Sequence, residues 1–593
     1  MASGLSFVSK NRLVNVTLTQ RSRRAISLIL LGTALVTVCG ARLIQLQILQ
    51  GNYYRERAEK NRIALIPIPA DRGNIIDHNG KLLAANRLSR SVYLRPREQT
   101  KEEWAETATR LSPILNIPPG EILEKLKQSG YRSAMPVRIS RNLSLDAFVA
   151  LAENSHQFPG LEIRGESSRY YPNGKLAAHV LGYISEATAA DLKANPDFPM
   201  GMLVGQMGIE RLANKTLKGV WGGQVVEVDA SGQEVDNLGI KPSISGEPVR
   251  LTLDLELQKA AEKALANRRG AVVALNVKTG AVLALASGPA FDPNLFTRRI
   301  SKAEWAQLQN QDDPFLNRAL QGYPPGSTFK VVTAIAGMQS GKFFPDSTLM
   351  TYSAINLGGH LFHEHGAPQG VIGFRDALAF SSNTFFYQVG LATGPEQISK
   401  WGRALGVGEV TDLGLDGGSY GLIPTPAEKE KLFKEPWYGG DTVSMSIGQG
   451  LVQMTPLEMA VVYAAIANGG YRVKPHLLAS YTGTPKTKPQ KIGINPNILA
   501  VIRQGLAAVV QEGTARRLND GSIPLTAGKT GTAEVLGQRD NSLFAGFGPV
   551  NNPQIAVAVV VENGGYGAES AVPIAHEVYK TYFKTGKQRN LKK

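Results

Sequence analysis

A serine and a lysine three residues apart offer the most specific chemical signal in this sequence. Ser327 and Lys330 form the chain's single Ser-x-x-Lys, directly after a Pro-Pro-Gly turn. The apolar run 331–338 that follows predicts a buried helix, with Ser327 at its N-terminus. Residues three apart share one helix face, so we expect the Lys330 amine to reach the Ser327 hydroxyl.

This pair suits nucleophilic catalysis. A serine hydroxyl attacks only when a base takes its proton, and a lysine desolvated beside an apolar helix can be neutral and act as that base. The free N–H groups of the first helical turn, with the helix dipole behind them, would stabilise an oxyanion. A capping serine and a surface lysine give the same spacing by accident in many helices. Further motifs must therefore decide between the two interpretations.

A Ser-x-Asn motif and a Lys-Thr-Gly motif downstream are the expected partners of such a nucleophile. Ser381, Ser382 and Asn383 form the first of them and interrupt an apolar run that predicts core. Buried polar side chains need partners, which suits a functional role. A second match at 140–142 lies far upstream of the nucleophile, between short polar segments, and predicts a turn.

Lys-Thr-Gly occurs three times, so the catalytic copy has to be identified from the sequence that surrounds each one. The copy at 278–280 separates two β-rich runs and predicts a hairpin turn. The copy at 584–586 follows a helical pattern and predicts a helix C-terminus with a capping glycine. The copy within 529–532 precedes two strand-like runs, 543–548 and 555–561. It predicts a strand edge that presents a lysine and two hydroxyls beside the nucleophile.

A nucleotide-binding loop is excluded at the same place. Gly528, Lys529 and Thr530 resemble the end of a phosphate-binding loop, which needs an earlier glycine five positions before Gly528. That position is Ile523.

Together these residues resemble the class B penicillin-binding proteins, which are membrane-anchored DD-transpeptidases that cross-link peptidoglycan. Beyond the three motifs, the segments 72–84, 170–182 and 205–210 are similar to the family's N-terminal signatures. The segment 436–460 resembles the elongation type more than the division type. The resemblance covers most of the chain.

The resemblance implies a role for each residue of the first two motifs. Ser327 would attack the carbonyl between the last two D-alanines of a stem peptide and expel D-alanine, with Lys330 as the base. Ser381 and Asn383 would complete the proton network and hold the substrate amide. Ser382 occupies the position where β-lactamases commonly carry aspartate, so its side chain is expected to point elsewhere.

The third motif is implied to bind substrate. Lys529 would supply positive potential, and Thr530 or Thr532, with Gly531 between them, would bind the terminal carboxylate. The backbone N–H groups of Ser327 and Thr532 would form the oxyanion hole. An amine of a neighbouring stem would then resolve the acyl-enzyme.

The implied partners are peptidoglycan stem peptides, on the lipid-linked precursor and on nascent glycan, and β-lactams. Neither a cofactor nor a metal is implied. No glycosyltransferase motif occurs before Gly246, so we expect a separate polytopic glycosyltransferase of the SEDS family as a partner. The net charge of +16 would also suit nucleic acid. The scattered basic residues and the missing nucleic-acid motif argue against that partner.

A single membrane anchor is predicted near the N-terminus. The uncharged run Ala25 to Ala41 is bracketed by Arg24 and Arg42, and the run is near the short end of what crosses a bilayer as a helix. Basic residues without acidic ones precede it, so the N-terminus should stay on the cytoplasmic side of the bacterial inner membrane. A cleaved signal peptide is the alternative. Cys39, the only cysteine, lies in the anchor, so the outer domains should contain no disulfide.

The fold class expected is α+β. A penicillin-recognising domain, with a mainly antiparallel sheet flanked by helices, should stand on an elongated mixed α/β pedestal. Composition and turns predict five segments: a cytoplasmic tail at 1–24, the anchor at 25–41, the pedestal at 42–247, the transpeptidase domain at 248–584 and a basic tail at 585–593.

One further cluster could bind a divalent metal. His360, His363 and His365 flank Glu364, but their spacing is not the helical zinc-protease pattern. Glycines on both sides predict a loop, and a solvated or packed loop is the alternative to a metal site.

Three other functions remain compatible with the motifs. The chain could be a division-specific transpeptidase. It could be a hydrolase, either a DD-carboxypeptidase or a β-lactamase, although a hydrolase has no evident use for a long pedestal. It could also be a penicillin sensor or scaffold that acylates without cross-linking.

Overall fold

The computed structural model describes residues 12–133, 135–199, 201–229, 234–409 and 413–590. Residues 1–11 of the expected cytoplasmic tail and residues 591–593 of the expected basic tail lie outside this description.

The helices and strands follow one another in three stretches of the chain. The first stretch contains α1 (Arg12–Ile44), a π-helical segment (Gln45–Leu49), α2 (Gly51–Arg62), β1 (Ile63–Ile68), β2 (Ile75–Ile76), β3 (Leu82–Leu94), α3 (Lys101–Leu115), α4 (Pro119–Ser129), β4 (Val137–Ser140), α5 (Leu145–Glu153), β5 (Leu161–Tyr170), α6 (Ala178–Leu181), β6 (Ile184–Glu186), α7 (Ala189–Ala194), β7 (Leu203–Gly205), α8 (Gly208–Leu212), α9 (Asn214–Leu217), β8 (Gly222–Val228) and β9 (Glu234–Lys241). The second contains β10 (Val249–Arg250), α10 (Leu255–Leu265), β11 (Gly270–Asn276), β12 (Val282–Gly288), α11 (Lys302–Gln309), a 3-10 turn (Gly326–Phe329), α12 (Lys330–Gln339), β13 (Thr348–Met350), β14 (Ala354–Leu357), β15 (His360–His363), β16 (Val371–Gly373), α13 (Phe374–Ala379) and α14 (Asn383–Thr393). The third contains α15 (Pro395–Leu405), α16 (Pro426–Phe433), α17 (Gly439–Ser446), α18 (Pro456–Ala467), β17 (Tyr471–Arg472), β18 (Gln490–Lys491), α19 (Pro496–Gln511), β19 (Ala527–Ala533), β20 (Asn541–Gly548), β21 (Ile555–Val561) and α20 (Ala571–Asn590).

The chain divides into two compact units. The first comprises the described parts of 1–68, 132–135 and 222–242. It contains α1 and the antiparallel sheet β1-β8-β9. The helical stretch Ser22–Leu49 has a mean hydropathy of 1.9 and is not buried in the protein. This stretch is long and apolar enough to cross a membrane.

The second unit contains both the pedestal sheet and the catalytic sheet. The pedestal sheet has the order β10-β2-β3-β4, with β5 also paired to β3. The same unit contains a buried ion cluster in which Glu210, fully buried, accepts hydrogen bonds from Arg72 and Arg169 at 2.6 Å each. Such a cluster is tolerable in a core because each charge meets an opposite one.

The catalytic sheet has the order β12-β11-β21-β20-β19, and all of its neighbouring strands are antiparallel. Alternate residues of β21 belong to two different apolar clusters, as the two-residue period of a strand requires. One cluster includes residues of α10 and α20, and the other includes residues of α12 and α18. The sheet is therefore covered by helices on both faces, as expected for the α+β class.

The hairpin predicted at 278–280 is confirmed, because this segment connects β11 to β12. The helix C-terminus predicted at Gly586 is wrong, because α20 continues to Asn590. A glycine inside a helix costs only about 1 kcal/mol relative to alanine, and the lysine, glutamine and arginine that follow are good helix formers.

Candidate active site

The nucleophile candidate lies on a 3-10 turn that leads into a buried helix. Ser327 is the second residue of this turn and is half-buried, and α12 begins three residues later at Lys330. The predicted helix is confirmed, but Ser327 precedes its first α-helical turn. The turn is held by a hydrogen bond from Gly326 N to Gly448 O of 2.9 Å. Gly326 has a φ of +51°, and a side chain there would meet Thr532 O at 2.7 Å.

Lys330 connects two of the motifs. Its Nζ donates to Ser381 O and to Asn383 Oδ1 at 2.7 Å each, and it lies at hydrogen-bond distance, 3.2 Å, from Ser381 Oγ. Ser381 Oγ is in turn 3.0 Å from Ser327 Oγ. In the described part of the chain, the hydrogen-bonded path from Lys330 to Ser327 therefore runs through Ser381. The direct contact expected from helix spacing is thus replaced by a relay, because the 3-10 turn carries the serine off the helix face.

Burial makes both lysines of the site poor cations. Lys330 is fully buried, and desolvation, assisted by the charge of Lys529, holds its pKa well below the ordinary value. The carboxylate of Glu364 opposes this shift only in part. Burial also lowers the pKa of Lys529 to about 7. A neutral amine is what a proton acceptor at Lys330 requires.

The Ser-x-Asn motif is the connection between α13 and α14. Ser381 has a φ of +62°, a left-handed conformation that is uncommon for serine and that points its hydroxyl at the lysine. Asn383 is the first residue of α14. Ser382 caps this helix, because its hydroxyl accepts from Phe385 N at 3.3 Å. As expected, its side chain points away from the Ser327 hydroxyl.

Glu364 holds this connection in place, a role that sequence reasoning missed. Its carboxylate accepts hydrogen bonds from Ser382 Oγ at 2.7 Å and from Thr384 Oγ1 at 2.6 Å. It also accepts from the backbone N–H groups of Asn383 and Thr384. Burial alone would raise the pKa of Glu364, but these hydrogen bonds outweigh burial and lower the pKa. In the sequence, Glu364 stands out only as the acidic member of the histidine cluster.

The loop predicted for the histidine cluster is confirmed for Glu364 and His365 but is wrong for the other two histidines. His360 and His363 lie at the two ends of strand β15, which pairs with β14 across a tight turn of two glycines. A Gly-Gly pair favours such a hairpin turn, which explains the error. In the described ranges, no group of three or more histidine, cysteine, aspartate or glutamate residues is close enough to hold a metal ion.

The Lys-Thr-Gly motif lies on β19, the edge strand of the catalytic sheet, as predicted. A side chain at Gly531 would meet Pro325 O at 2.9 Å, so the strand and the nucleophile turn pack backbone to backbone. Lys529 is fully buried, and its Nζ donates to Thr530 O at 3.3 Å. Thr530 Oγ1 is 2.6 Å from Thr514 Oγ1, a further partner that the sequence did not indicate.

The fold therefore brings the three motifs to one place. Hydrogen bonds join Ser327, Lys330, Ser381 and Asn383, and close backbone packing sets Thr532 beside the nucleophile turn. Such an arrangement can deprotonate a serine and present a strand edge to an extended acyl substrate.

Comparison with protein families agrees with this geometry. Residues 270–580 match the family model for the penicillin binding protein transpeptidase domain, which covers more than half of the chain. The chain belongs to the penicillin-binding protein transpeptidases. Residues 67–251 match the model for the penicillin-binding protein dimerisation domain.

The similarity to one curated relative extends over nearly the whole of this penicillin-binding protein. Peptidoglycan D,D-transpeptidase MrdA of Acinetobacter baumannii is 35% identical over 95% of this chain and 88% of its own length. The elongation-type resemblance is confirmed by this similarity.

Solved structures give the same answer for the fold. The complex between Penicillin-Binding Protein (PBP2) and MreC from Helicobacter pylori matches with a TM-score of 0.78 and 28% identity, covering 88% of this chain and 99% of that one. A second match is a chain from the structure named "Structural coordination of polymerization and crosslinking by a peptidoglycan synthase complex". Its TM-score is 0.70 and its identity 34%, and the match covers 95% of this chain and 98% of that one. The predicted fold class is confirmed.

Proposed function

We propose that this peptidoglycan D,D-transpeptidase of the elongation type uses Ser327 as its nucleophile and Lys330 as its base. The observation that carries the assignment is the relay of hydrogen bonds from Lys330 Nζ through Ser381 Oγ to Ser327 Oγ. A buried amine with a lowered pKa at one end of the relay and a half-buried hydroxyl at the other supports proton transfer from serine to lysine.

Acylation then follows in balanced steps. Ser327 passes its proton to Ser381 Oγ, and Ser381 passes its own proton to Lys330, while Ser327 Oγ bonds to the carbonyl carbon between the two D-alanines. The N–H groups of Ser327 and Thr532 stabilise the resulting oxyanion. Lys330 returns the proton to the leaving amine, and the carbon–nitrogen bond breaks. The products are free D-alanine and an ester on Ser327.

Deacylation uses the same groups in reverse. The amine of a neighbouring stem peptide attacks the ester, and its proton passes through the relay to Ser327 as the serine leaves. Asn383 accepts from Lys330 through Oδ1 and donates one amide N–H to His363 O at 3.4 Å, which leaves its other amide N–H to bind the substrate backbone. The new amide is the cross-link.

The edge strand β19 supplies the carboxylate subsite in this proposal. Lys529 provides positive potential when protonated, and Thr530 or Thr532 donates to the terminal carboxylate beside Gly531. A β-lactam carries a carboxylate and a reactive carbonyl in a similar arrangement, so it acylates Ser327 and inhibits the enzyme.

Transfer and hydrolysis are separated by one experiment. The full-length protein in detergent is incubated with a donor peptide ending in D-alanyl-D-alanine and with a labelled D-amino acid. Incorporation of the label into the donor supports transfer. Release of D-alanine without incorporation would identify a carboxypeptidase, and acylation without either product would identify a sensor.

The rate of acylation should depend on pH in a manner set by the two lysines. We expect the second-order rate constant with a D-alanyl-D-alanine peptide to fall on acidification, because protonated Lys330 cannot accept the serine proton. We expect it also to fall above about pH 7, where Lys529 loses its charge. The check is a stopped-flow pH profile. A profile without an alkaline decline would contradict the charge role of Lys529.

Removal of the Glu364 carboxylate should slow acylation without removing the nucleophile. For Glu364→Ala we expect the acylation rate constant with a fluorescent penicillin to fall about 10²-fold, because Ser382 and Asn383, which follow Ser381 in the motif, lose their support. Glu364→Gln, which keeps part of the acceptor set, should lose less. The exposed Glu430→Ala is the matched control. Equal rates in Glu364→Ala and the control would contradict the role.

The five segments expected from the sequence are retained as the proposed domain organisation. The tail at 1–24, the anchor at 25–41, the pedestal at 42–247, the transpeptidase domain at 248–584 and the basic tail at 585–593 agree with a single anchored chain. The match of the dimerisation-domain model to 67–251 supports the pedestal.

The proposed location is the bacterial inner membrane, with the N-terminus in the cytoplasm and the catalytic domain outside. The apolar helix Ser22–Leu49 supports the anchor, and the basic residues before it support the orientation. Accessibility of an introduced N-terminal cysteine to an impermeant thiol reagent tests this. Labelling in intact cells would overturn the orientation.

We also propose a glycosyltransferase of the SEDS family as the membrane partner. The similarity to a chain of a peptidoglycan synthase complex supports a partner that polymerises glycan. Replacement of residues 25–41 by an unrelated apolar helix of equal length keeps the protein in the membrane. Loss of co-purification would support the contact, and unchanged co-purification and activity would count against it.

A further inference from the structure

A small cavity in the second compact unit, far along the chain from the catalytic motifs, is lined by basic side chains. Its volume is about 50 Å³. We call it the arginine cavity, and the charged residues in its wall are Arg72, Arg138, Arg141, Arg169, Lys218 and Glu166. The polar part of the wall also includes Asn142 and serines of β3 and β5.

Two of these arginines carry buried N–H groups without partners. Arg72 donates from Nε and Nη2 to Glu210, but its Nη1 has no acceptor among the described residues. Arg169 donates from Nε to Glu210 and from Nη1 to Gly73 O, but its Nη2 has none. Arg72 is 7% exposed and Arg169 is 2% exposed. Buried donors in this state are costly, which argues for an acceptor in the cavity.

A third arginine of the cavity wall, Arg141, also has a buried N–H group without an acceptor among the described residues. Arg141 donates from Nη2 to Gly201 O at 2.7 Å, and its buried Nε lacks an acceptor within the described ranges. Burial lowers the pKa of Arg141 to about 10, and the nearby charge of Arg138 adds to this effect. A negative charge between these residues would relieve both the unused donors and the repulsion.

The charges around the cavity do not cancel. Five basic side chains and one carboxylate form its wall. Two further carboxylates, Glu186 and Glu210, pair with the arginines from outside that wall. Basic groups therefore outnumber acidic groups, and the low dielectric of the surroundings strengthens the resulting positive potential.

Size and one orphaned acceptor restrict the ligand further. A volume of about 50 Å³ suits a small ion or a few waters. Asn142 Oδ1 is buried without a donor in the described part of the chain. It suits a ligand that carries a hydroxyl beside its charged oxygens, which hydrogen phosphate has and acetate lacks.

We propose that the arginine cavity is a binding site for a small protonated oxyanion of the phosphate class. The anion accepts from Arg72, Arg141 and Arg169 and donates to Asn142. Its binding links the segment before β2 and strand β5 to the segment after β4, and so stabilises the pedestal.

The test is thermal unfolding of the full-length protein in detergent with rising inorganic phosphate, at an ionic strength held constant with chloride. We expect a saturable rise in the melting temperature, because a ligand that binds only the folded state stabilises it. Acetate should give a smaller rise at every concentration. Titration calorimetry with inorganic phosphate should give one site per chain.

Variants locate the site. Arg141→Gln should weaken the apparent affinity for phosphate about tenfold, the loss expected for one charge-assisted hydrogen bond. The matched control is Arg110→Gln, an exposed position of α3, which should bind phosphate as the unchanged protein does. Fluorescent penicillin labelling verifies that each variant is folded. The proposal is overturned if phosphate gives no saturable effect, if acetate equals phosphate, or if Arg141→Gln responds like Arg110→Gln.

Discussion

Ser327→Ala should abolish covalent labelling by penicillin and should reduce cross-linking by about 10⁴-fold or more. The hydroxyl is the only atom of the relay that forms a bond to the substrate, and residual turnover without a nucleophile rests on binding and oxyanion contacts alone. The measurement is intact-protein mass spectrometry after treatment with benzylpenicillin, followed by peptide mapping of the adduct.

The control for this experiment is Ser480→Ala, an exposed serine of the same domain. It should be labelled fully and at the unchanged rate. An adduct that persists in Ser327→Ala, or one that maps to another side chain in the unchanged protein, would refute the assignment of the nucleophile and of the relay behind it.

The second large effect is expected at Lys330. Both Lys330→Met and Lys330→Arg should slow acylation by about 10²–10⁴-fold, the usual contribution of a general base. Arginine retains the positive charge but cannot lose its proton, so it should not rescue activity. The rate constant is measured with fluorescent penicillin across the pH range.

The arginine variant distinguishes a base from a merely positive group. If Lys330→Arg acylated as fast as the unchanged protein, the amine would act through its charge, and the relay would not transfer a proton. Loss of activity in both variants, together with a normal melting temperature, would support the base. Lys491→Met is the control, since Lys491 is exposed at the surface.

The sequence predicts well what depends on local spacing. The helix after Ser327 follows from its apolar run, and the strand edge at Lys529 follows from the two strand patterns behind it.

What the sequence could not predict depends on backbone conformations and on contacts between distant segments. The relay through Ser381 exists because that residue is left-handed, which no local pattern indicates for a serine. Glu364 comes to the Ser-x-Asn motif because the hairpin β14–β15 delivers it there. Thr514 meets Thr530 for a similar reason, because it follows α19 and this helix packs against β19.

The order of strands in the catalytic sheet also has a consequence for biogenesis. β11 and β12 are synthesised long before β21, yet β11 pairs with β21 along its whole length. Until β21 is synthesised, one edge of the early hairpin is open and is competent to pair with other chains. Productive maturation therefore depends on delivery of the last part of the polypeptide, and chaperones that shield open strand edges should raise the yield of active enzyme.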